Sequence, residues 1–515
     1  MVTLPLQGKQ VAGLVVSALA FALIVWRGIV TEADPDLWGH VRFGQDILKL
    51  GSLPSVDPYS YLVPNSRWIN HEWLSETIFG LLYNTAGPLG LVAFKCFCVV
   101  VIAILVWRCL FRGGFDLVRC AEILVVAEVM LLPAMTPLRP NIFTCLILTL
   151  LLLVLDYFAT HKRGATQLCL TVPVLFAVWA NVHGGFVLGL IILSAWWIGA
   201  LIEAGVSGAL ERKKAATWLL VAVLPLSLAA TMLNPYGPEL LRFLLETTSV
   251  RRADISEWQA LGLTNTFGLY YLAVLVLSAL SLVFSRKLKP LSTLAAWFVL
   301  ACAPQVAYRF LPLFAIGTPI LVGPHLADAG YRFYDKLSSK RLVLLPIFTV
   351  WAVVVVFSAI GIWSQLSGRA LGQIFVSPYM PVDAVSTLKQ RNVRGNALVQ
   401  FNWGEYVIWH LGPGLKIAVD GRRETVYPAN VRALYSNFVT GSGDWDALVD
   451  KYPTDIVVME PYVAPSNLML LKHGWVRVYA DNACWMFVRQ GSELERVLTG
   501  SSPPSQQTGS DRYFP

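Results

Sequence analysis

The sequence predicts an α-helical polytopic membrane protein with a small soluble α/β domain at its C-terminal end. Three observations carry that prediction. Of the 515 residues, 56% are hydrophobic and only 14% are charged, with a mean hydropathy of +0.59. Basic residues recur in alternate connections between long apolar runs. After about residue 365 those runs give way to short strand-like and helical stretches. Soluble domains carry about a quarter charged residues, so the composition argues against a globular cytoplasmic enzyme. The formal net charge of +8 does not point to nucleic acid, because the basic residues sit in short clusters rather than on one surface.

A membrane span needs about 20 apolar residues in a helix that satisfies its own backbone. Apolar runs at 10–30, 89–110, 120–137, 141–158, 168–181, 184–204, 216–234, 267–285, 291–306, 308–324 and 341–363 predict about eleven transmembrane helices. The first run lacks a small-residue cleavage site and reads as an uncleaved span. Clusters at Arg108, Arg112 and Arg119, at His161, Lys162 and Arg163, and at Arg212, Lys213 and Lys214 fall in alternate connections. So do Arg286, Lys287 and Lys289, and Arg332, Lys336, Lys340 and Arg341. The positive-inside rule places these loops in the cytoplasm, with the N-terminus inside and the C-terminal domain outside.

The domain organisation that follows is a transmembrane body over 1–365, including a large first outer loop at 31–88, and a soluble α/β domain over 375–490. A disordered tail is expected at 491–515, rich in Ser, Pro, Gln and Gly near its end. Strands are expected at 397–401, 415–419 and 455–459 and helices at 382–392 and 445–452. Trp38, Trp68 and Trp73 suggest that the first outer loop lies on the membrane interface as amphipathic helices. The eight cysteines form no metal-spaced set, and Cys484 is the single cysteine of the tail domain.

The unusual polar residues collect on the outer side. The first outer loop opens with Glu32-Ala33-Asp34-Pro35-Asp36-Leu37-Trp38-Gly39-His40, passes through Asp57-Pro58-Tyr59-Ser60-Tyr61, and ends in Asn70-His71-Glu72-Trp73-Leu74. Crowded carboxylates repel unless one is protonated, paired or metal-bound, states that suit general-base work or cation binding. The plain alternative is a helix cap by Asp34 or Asp36. Further along come Arg139-Pro140-Asn141, Asn181-Val182-His183-Gly184-Gly185, Asn234-Pro235-Tyr236-Gly237 and Tyr308-Arg309-Phe310. In the tail, Asn402-Trp403-Gly404-Glu405-Tyr406 and Asp420-Gly421-Arg422 read as a polar face or as turns.

These motifs, taken in order along most of the chain, resemble the GT-C superfamily. Its members are integral-membrane glycosyltransferases that use lipid-phosphate-linked sugars, among them protein O-mannosyltransferases and aminoarabinose transferases. The string is similar to a bacterial branch sharing Asp-Pro-Asp-Leu-Trp-x-His, Asp-Pro-Tyr-Ser-Tyr, Asn-His-Glu-Trp-Leu, Arg-Pro-Asn, Asn-x-His-Gly-Gly, Asn-Pro-Tyr-Gly and Asp-Gly-Arg. The resemblance implies a GT-C-like fold and transfer of a sugar from a polyprenyl-phosphate donor to a glycan, lipid or protein outside the cytoplasm. It also implies a bacterial inner (plasma) membrane location. By the same resemblance, Asp36 or Asp34 matches the general base, with Glu72 as a second carboxylate. Many relatives have two adjacent acids here, whereas Pro35 intervenes in this chain.

Such a transfer needs a base for the acceptor proton and cationic groups for the leaving phosphate. Arg139 and Arg309, at outer helix ends, have the fork geometry for phosphate oxygens, and read equally as snorkelling or helix-packing arginines. His183, His40 and His71 are further candidates to bind the donor, His183 reading rather more readily as a structural histidine at a kink. Asp36 and Glu72, with the nearby histidines, could build a site for Mg or Mn. No Gly-rich phosphate loop followed by Lys is present, which disfavours a nucleotide-driven pump. A polar-lipid transporter or flippase, and a non-catalytic membrane scaffold, are the competing readings.

Overall fold

The computed structural model describes residues 6–161, 164–208, 215–248, 252, 255–337, 372–499 and 513–515. The expected span at 341–363 lies outside them, as do Lys162, Arg163, Arg212, Lys213, Lys214, Arg251, Lys340, Arg341 and 500–512. The chain is mostly helical and divides into two units: Met1–Val30 with Val92–Gly372, and Thr31–Leu91 with Gln373–Pro515.

In the first unit every expected span as far as residue 324 coincides with a helix. Among the described residues, five helices are long and apolar enough to cross a membrane: Trp73–Gly113, Asn141–His161, Ala165–Val182, Phe186–Val206 and Thr266–Phe284. A sixth is present if Tyr308–Leu321 and Gly323–Arg332, bent by 60°, form one span. Gly13–Ile29, Ala215–Ala230 and Leu291–Val306 are shorter apolar helices. The long helix Trp73–Gly113 is broken at Gly87, whose φ of 58° is a left-handed value that glycine adopts without a Cβ penalty.

Small residues set the close approaches. Ala20 packs into Ala121 and Val125, and the backbone of Gly199 lies against Ser292. Carbonyl groups left over at helix ends find side-chain donors. Lys95 is fully buried, yet its Nζ donates to Val30 O at 2.8 Å and Thr136 O at 3.1 Å, so one side chain joins two helix ends. Lys287 Nζ donates to Gly113 O at 2.8 Å, and Glu203 accepts from Ser292 N at 2.9 Å to cap the helix Leu291–Val306. Asn234 closes its turn as the Asn-Pro-Tyr-Gly string suggests, accepting from Tyr236 N at 2.8 Å.

Among the described residues, both sheets lie in the second unit. Strands β1 (Thr31–Glu32) and β2 (Ile374–Phe375) pair in parallel. A five-stranded sheet runs β4 (Leu415–Ile417), β3 (Gly395–Val399), β5 (Ile456–Met459), β7 (Trp485–Arg489), β6 (Trp475–Ala480). Its first two pairings are parallel and its last two antiparallel. The expected helices at 382–392 and 445–452 appear as Val382–Gln390 and Ala447–Asp450.

The domain boundary expected near residue 365 is corrected by this pairing. The first outer loop folds with the tail: Ser60 bridges Ile417, Tyr61 N donates to Ile417 O at 3.2 Å, and Ile417 N to Tyr59 O at 3.0 Å. Asp-Pro-Tyr-Ser-Tyr thereby extends the sheet beyond β4. Trp38 and Trp68 are 1% and 3% exposed, so they are core residues here and not interfacial anchors. The expectation of a disordered 491–515 is corrected where it is described. Glu493–Thr499 is a helix whose first turn donates from Glu495 N to Ser492 Oγ, and Phe514 is buried.

Candidate active site

The acidic string begins where β1 ends. Ala33 N donates to Phe375 O at 2.8 Å, which fixes the chain as it turns into the helix Leu37–Leu50. Asp34 is buried, and its Oδ1 accepts from Asp36 N at 3.1 Å, as an Asp in an Asx turn does. Asp36 occupies the N-cap position but makes no side-chain capping bond. Capping falls instead to Glu405, whose Oε2 accepts from Gly39 N at 3.1 Å across 366 residues of sequence. The half-buried Asp36 carboxylate is therefore not spent on the helix end.

Gly421 makes this arrangement possible. A Cβ there would collide with Asp36 Oδ1 and sit 2.8 Å from Glu405 Oε1. Both carboxylates thus press on the Asp-Gly-Arg turn from the same side. Burial pushes Glu405 well above the usual carboxylate range, and the charges of Asp36 and Asp420 add to it.

His40 gathers the other acids. Its Nδ1 lies 3.3 Å from Glu76 Oε1 and its Nε2 4.0 Å from Glu72 Oε2. His71 Nε2 is 3.7 Å from Glu72 Oε1, and Asn70 Nδ2 donates to Glu76 Oε2. Glu76 was not singled out from the sequence, although it follows Glu72 by four residues and so shares its helical face. Burial opposes the charged imidazolium, but the bond to Glu76 and the charges of Glu72, Glu76 and Asp36 outweigh it and push His40 up to about 9. A histidine raised from 6.5 in the folded state stabilises fully below that unfolded value and loses the contribution as pH rises through about 9. The shift corresponds to roughly 3 kcal/mol. His40→Gln is therefore expected to flatten the fall in melting temperature between pH 6 and 10. An unchanged pH slope in the variant would contradict the ion pairs.

Beneath this group lies a second cluster. Arg422 donates through Nε and Nη2 to Asp420 at 2.6–3.1 Å and through Nη1 to Asp57 at 2.7 Å. Tyr427 Oη donates to Asp420 Oδ2 at 2.9 Å, while Asp57 accepts from Tyr59 N and Ser60 N. The guanidinium also faces the rings of Phe43, Trp68 and Tyr59 at 4.9–5.6 Å.

The basic candidates belong to the first unit. Arg139 Nη1 lies 2.7 Å and Arg309 Nη1 3.8 Å from the Glu257 carboxylate, so two cations share one anion. Trp258 carries Arg252 at 4.0 Å and Arg309 at 4.6 Å over its ring. Burial would raise Glu257, but the arginines lower it below the usual range, with His183 contributing. His183 Nδ1 accepts from Thr144 Oγ1 at 2.7 Å and Gly185 N at 3.0 Å, and Trp179 Nε1 donates to the same hydroxyl at 2.8 Å. This network fixes the ring with its proton on Nε2. A Cβ on Gly185 would strike Thr144 and crowd His183, which accounts for the second glycine of the motif.

Among the described residues no three His, Cys, Asp or Glu side chains converge to hold a metal ion. Glu76 is engaged by Asn70 and His40, and Glu72 lies between two imidazoles.

The fold is that of the GT-C membrane glycosyltransferases. An oligosaccharyltransferase from Archaeoglobus fulgidus in its apo form aligns with a TM-score of 0.57 at 14% identity, over 87% of this chain and 69% of that one. AglB from the same organism, in complex with an inhibitory peptide and a dolichol-phosphate, gives 0.56 at 13% identity over 88% and 70%. ArnT from Cupriavidus metallidurans bound to undecaprenyl phosphate gives 0.53 at 12% identity over 97% and 100%. No protein-family profile matches the sequence, and no curated protein matches it.

Proposed function

We propose that this protein is a glycosyltransferase of the bacterial inner membrane that moves a sugar from a polyprenyl-phosphate donor to an acceptor outside the cytoplasm. The observation that carries the reading is Asp36 itself. In a fold shared with ArnT and AglB, it stands at the start of a helix without making a side-chain capping bond, beside Glu405, whose pKa burial raises. Asp36 takes the proton of the acceptor hydroxyl or amine as that atom bonds to the anomeric carbon. The carbon–oxygen bond to the phosphate breaks, and the lipid phosphate leaves with the electron pair. Within the first unit, Arg139 and Arg309 are the candidates to bind a lipid phosphate, each exchanging part of its contact with Glu257 for a phosphate oxygen. His183 offers Nε2–H to the same phosphate, His40 and His71 hold Glu72 and Glu76 in place, and Asp34 holds the backbone of Asp36. The acceptor is a glycan, lipid or protein, and the basic loops face the cytoplasm.

The test is binding of undecaprenyl phosphate to the full chain in nanodiscs. A charged hydrogen bond contributes about 1.5–3 kcal/mol, so Arg139→Ala and Arg309→Ala should each weaken binding roughly tenfold or more. A wild-type protein that does not bind undecaprenyl phosphate, or variants that bind it equally well, would sink the proposal.

A further inference from the structure

Residues 513–515 occupy a pocket in the second unit. Phe514 is 3% exposed and its N donates to Ile374 O at 2.8 Å, while Tyr513 forms an antiparallel bridge with Phe375. The segment thus lies beside β2, the strand whose partner β1 leads directly into the acidic string. The Phe514 ring stands 4.2 Å from Trp38, 5.5 Å from Trp409 and 5.7 Å from Tyr83, centroid to centroid. Tyr83 Oη donates to Pro515 O at 2.6 Å. Behind Trp38, the rings of Tyr406 and His410 close the wall at 4.8 and 5.4 Å.

Two polar atoms of these rings are left without partners. Trp38 Nε1 and His410 Nε2 are buried and have no hydrogen-bond partner among the described residues. Indole N–H is only a donor, and burying it unpaired is unfavourable. Burial, with the charge of Lys389 adding, lowers His410 to about 4, so its ring is neutral at pH 7. A phenyl ring satisfies neither atom. A pyranose ring offers both an apolar face for stacking on indole and hydroxyls at its rim. Trp38 stands two residues from Asp36 on the same helical turn.

We infer that the Trp38–Tyr83–Trp409 pocket is a saccharide-binding site that Phe514 occupies in the absence of sugar. The inference rests on the transferase reading only for the ring's identity, which would be that of the acceptor beside Asp36. Phe514 acts as a competing internal ligand, and the apparent affinity for sugar falls by the fraction of open pocket.

Saturation-transfer NMR on the full chain in nanodiscs, with glucose and N-acetylglucosamine as probes, tests the pocket without any transfer reaction. Phe514→Ala should bind a probe roughly tenfold more tightly than wild type. Adding Trp409→Ala to that variant should abolish the gain. A gain that survives Trp409→Ala, or no gain at all, overturns the inference. Should Phe514→Ala not fold, Tyr83→Phe removes only the bond to Pro515. It should shift affinity in the same direction by a smaller factor, and no shift overturns the inference. Sugar binding without transfer would leave the pocket standing and remove the transferase reading. Transfer without binding at this pocket would do the reverse.

Discussion

Arg422→Met is expected to lower the melting temperature by on the order of 10 °C, the largest stability loss of any single substitution considered. The methionine matches the buried stem, but it leaves Asp420 and Asp57, 0% and 1% exposed, facing one another without the cation between them. Removing one partner of a buried ion pair costs about 3–5 kcal/mol, and for a unit of this size each kcal/mol moves the midpoint by roughly 2–4 °C. Arg422→Lys should recover less than half of the loss. An ammonium cannot fork onto Asp420 while reaching Asp57, nor stack as a plane among Phe43, Tyr59 and Trp68. Intrinsic fluorescence of the detergent-solubilised protein during heating reads both variants. A midpoint within 1 °C of wild type for Arg422→Met would show that the cluster contributes nothing net.

Arg422 also marks the limit of what the sequence discloses. Apolar runs of helical length identify the helices of the first unit because membrane-scale hydrophobicity is a local property. The three strands expected in the tail each hold a short, largely apolar run. Arg477 and the alternation around it give β6 a half-exposed pattern that does not stand out as a strand, whereas for β7 the sequence offers no such reason. That the first outer loop folds with the tail was not legible at all. The contacts that join them, Arg422 to Asp57 and Glu405 to Gly39, span 365 and 366 residues, and no periodicity encodes a partner at that distance. For the same reason the spacing in the sequence does not separate Asp36, which Trp38 and His40 favour by flanking it, from Asp34. Backbone geometry separates them: one carboxylate accepts from the turn, and the other is relieved of capping by a residue from the tail. Trp38 and Trp68 misled in a related way, because an aromatic residue near an apolar run suits an interface and a core equally.

Asp36→Asn is expected to reduce sugar transfer by about 10²–10⁴-fold, the usual contribution of a general base. Asp34→Asn should cost far less, since the amide oxygen still accepts from Asp36 N in the same turn. The stability of the two variants sharpens the distinction. Asp36 adds negative charge beside Glu405 and Asp420, where burial already disfavours it. Neutralising it relieves that repulsion, so Asp36→Asn should melt at or above the wild-type temperature while losing activity. Such a combination marks a group kept for chemistry at a cost to the fold. The measurement pairs melting with transfer of label from an undecaprenyl-phosphate-linked sugar that the wild-type protein turns over. If Asp36→Asn is active and Asp34→Asn is not, the roles of the two acids are reversed. If both are active, the base lies elsewhere, and the competing view of this chain as a non-catalytic scaffold or transporter gains no support from either result. If both are inactive but Asp36→Asn alone is destabilised, Asp36 is a structural anchor and the proton must be taken by another carboxylate, with Glu72 the next to replace.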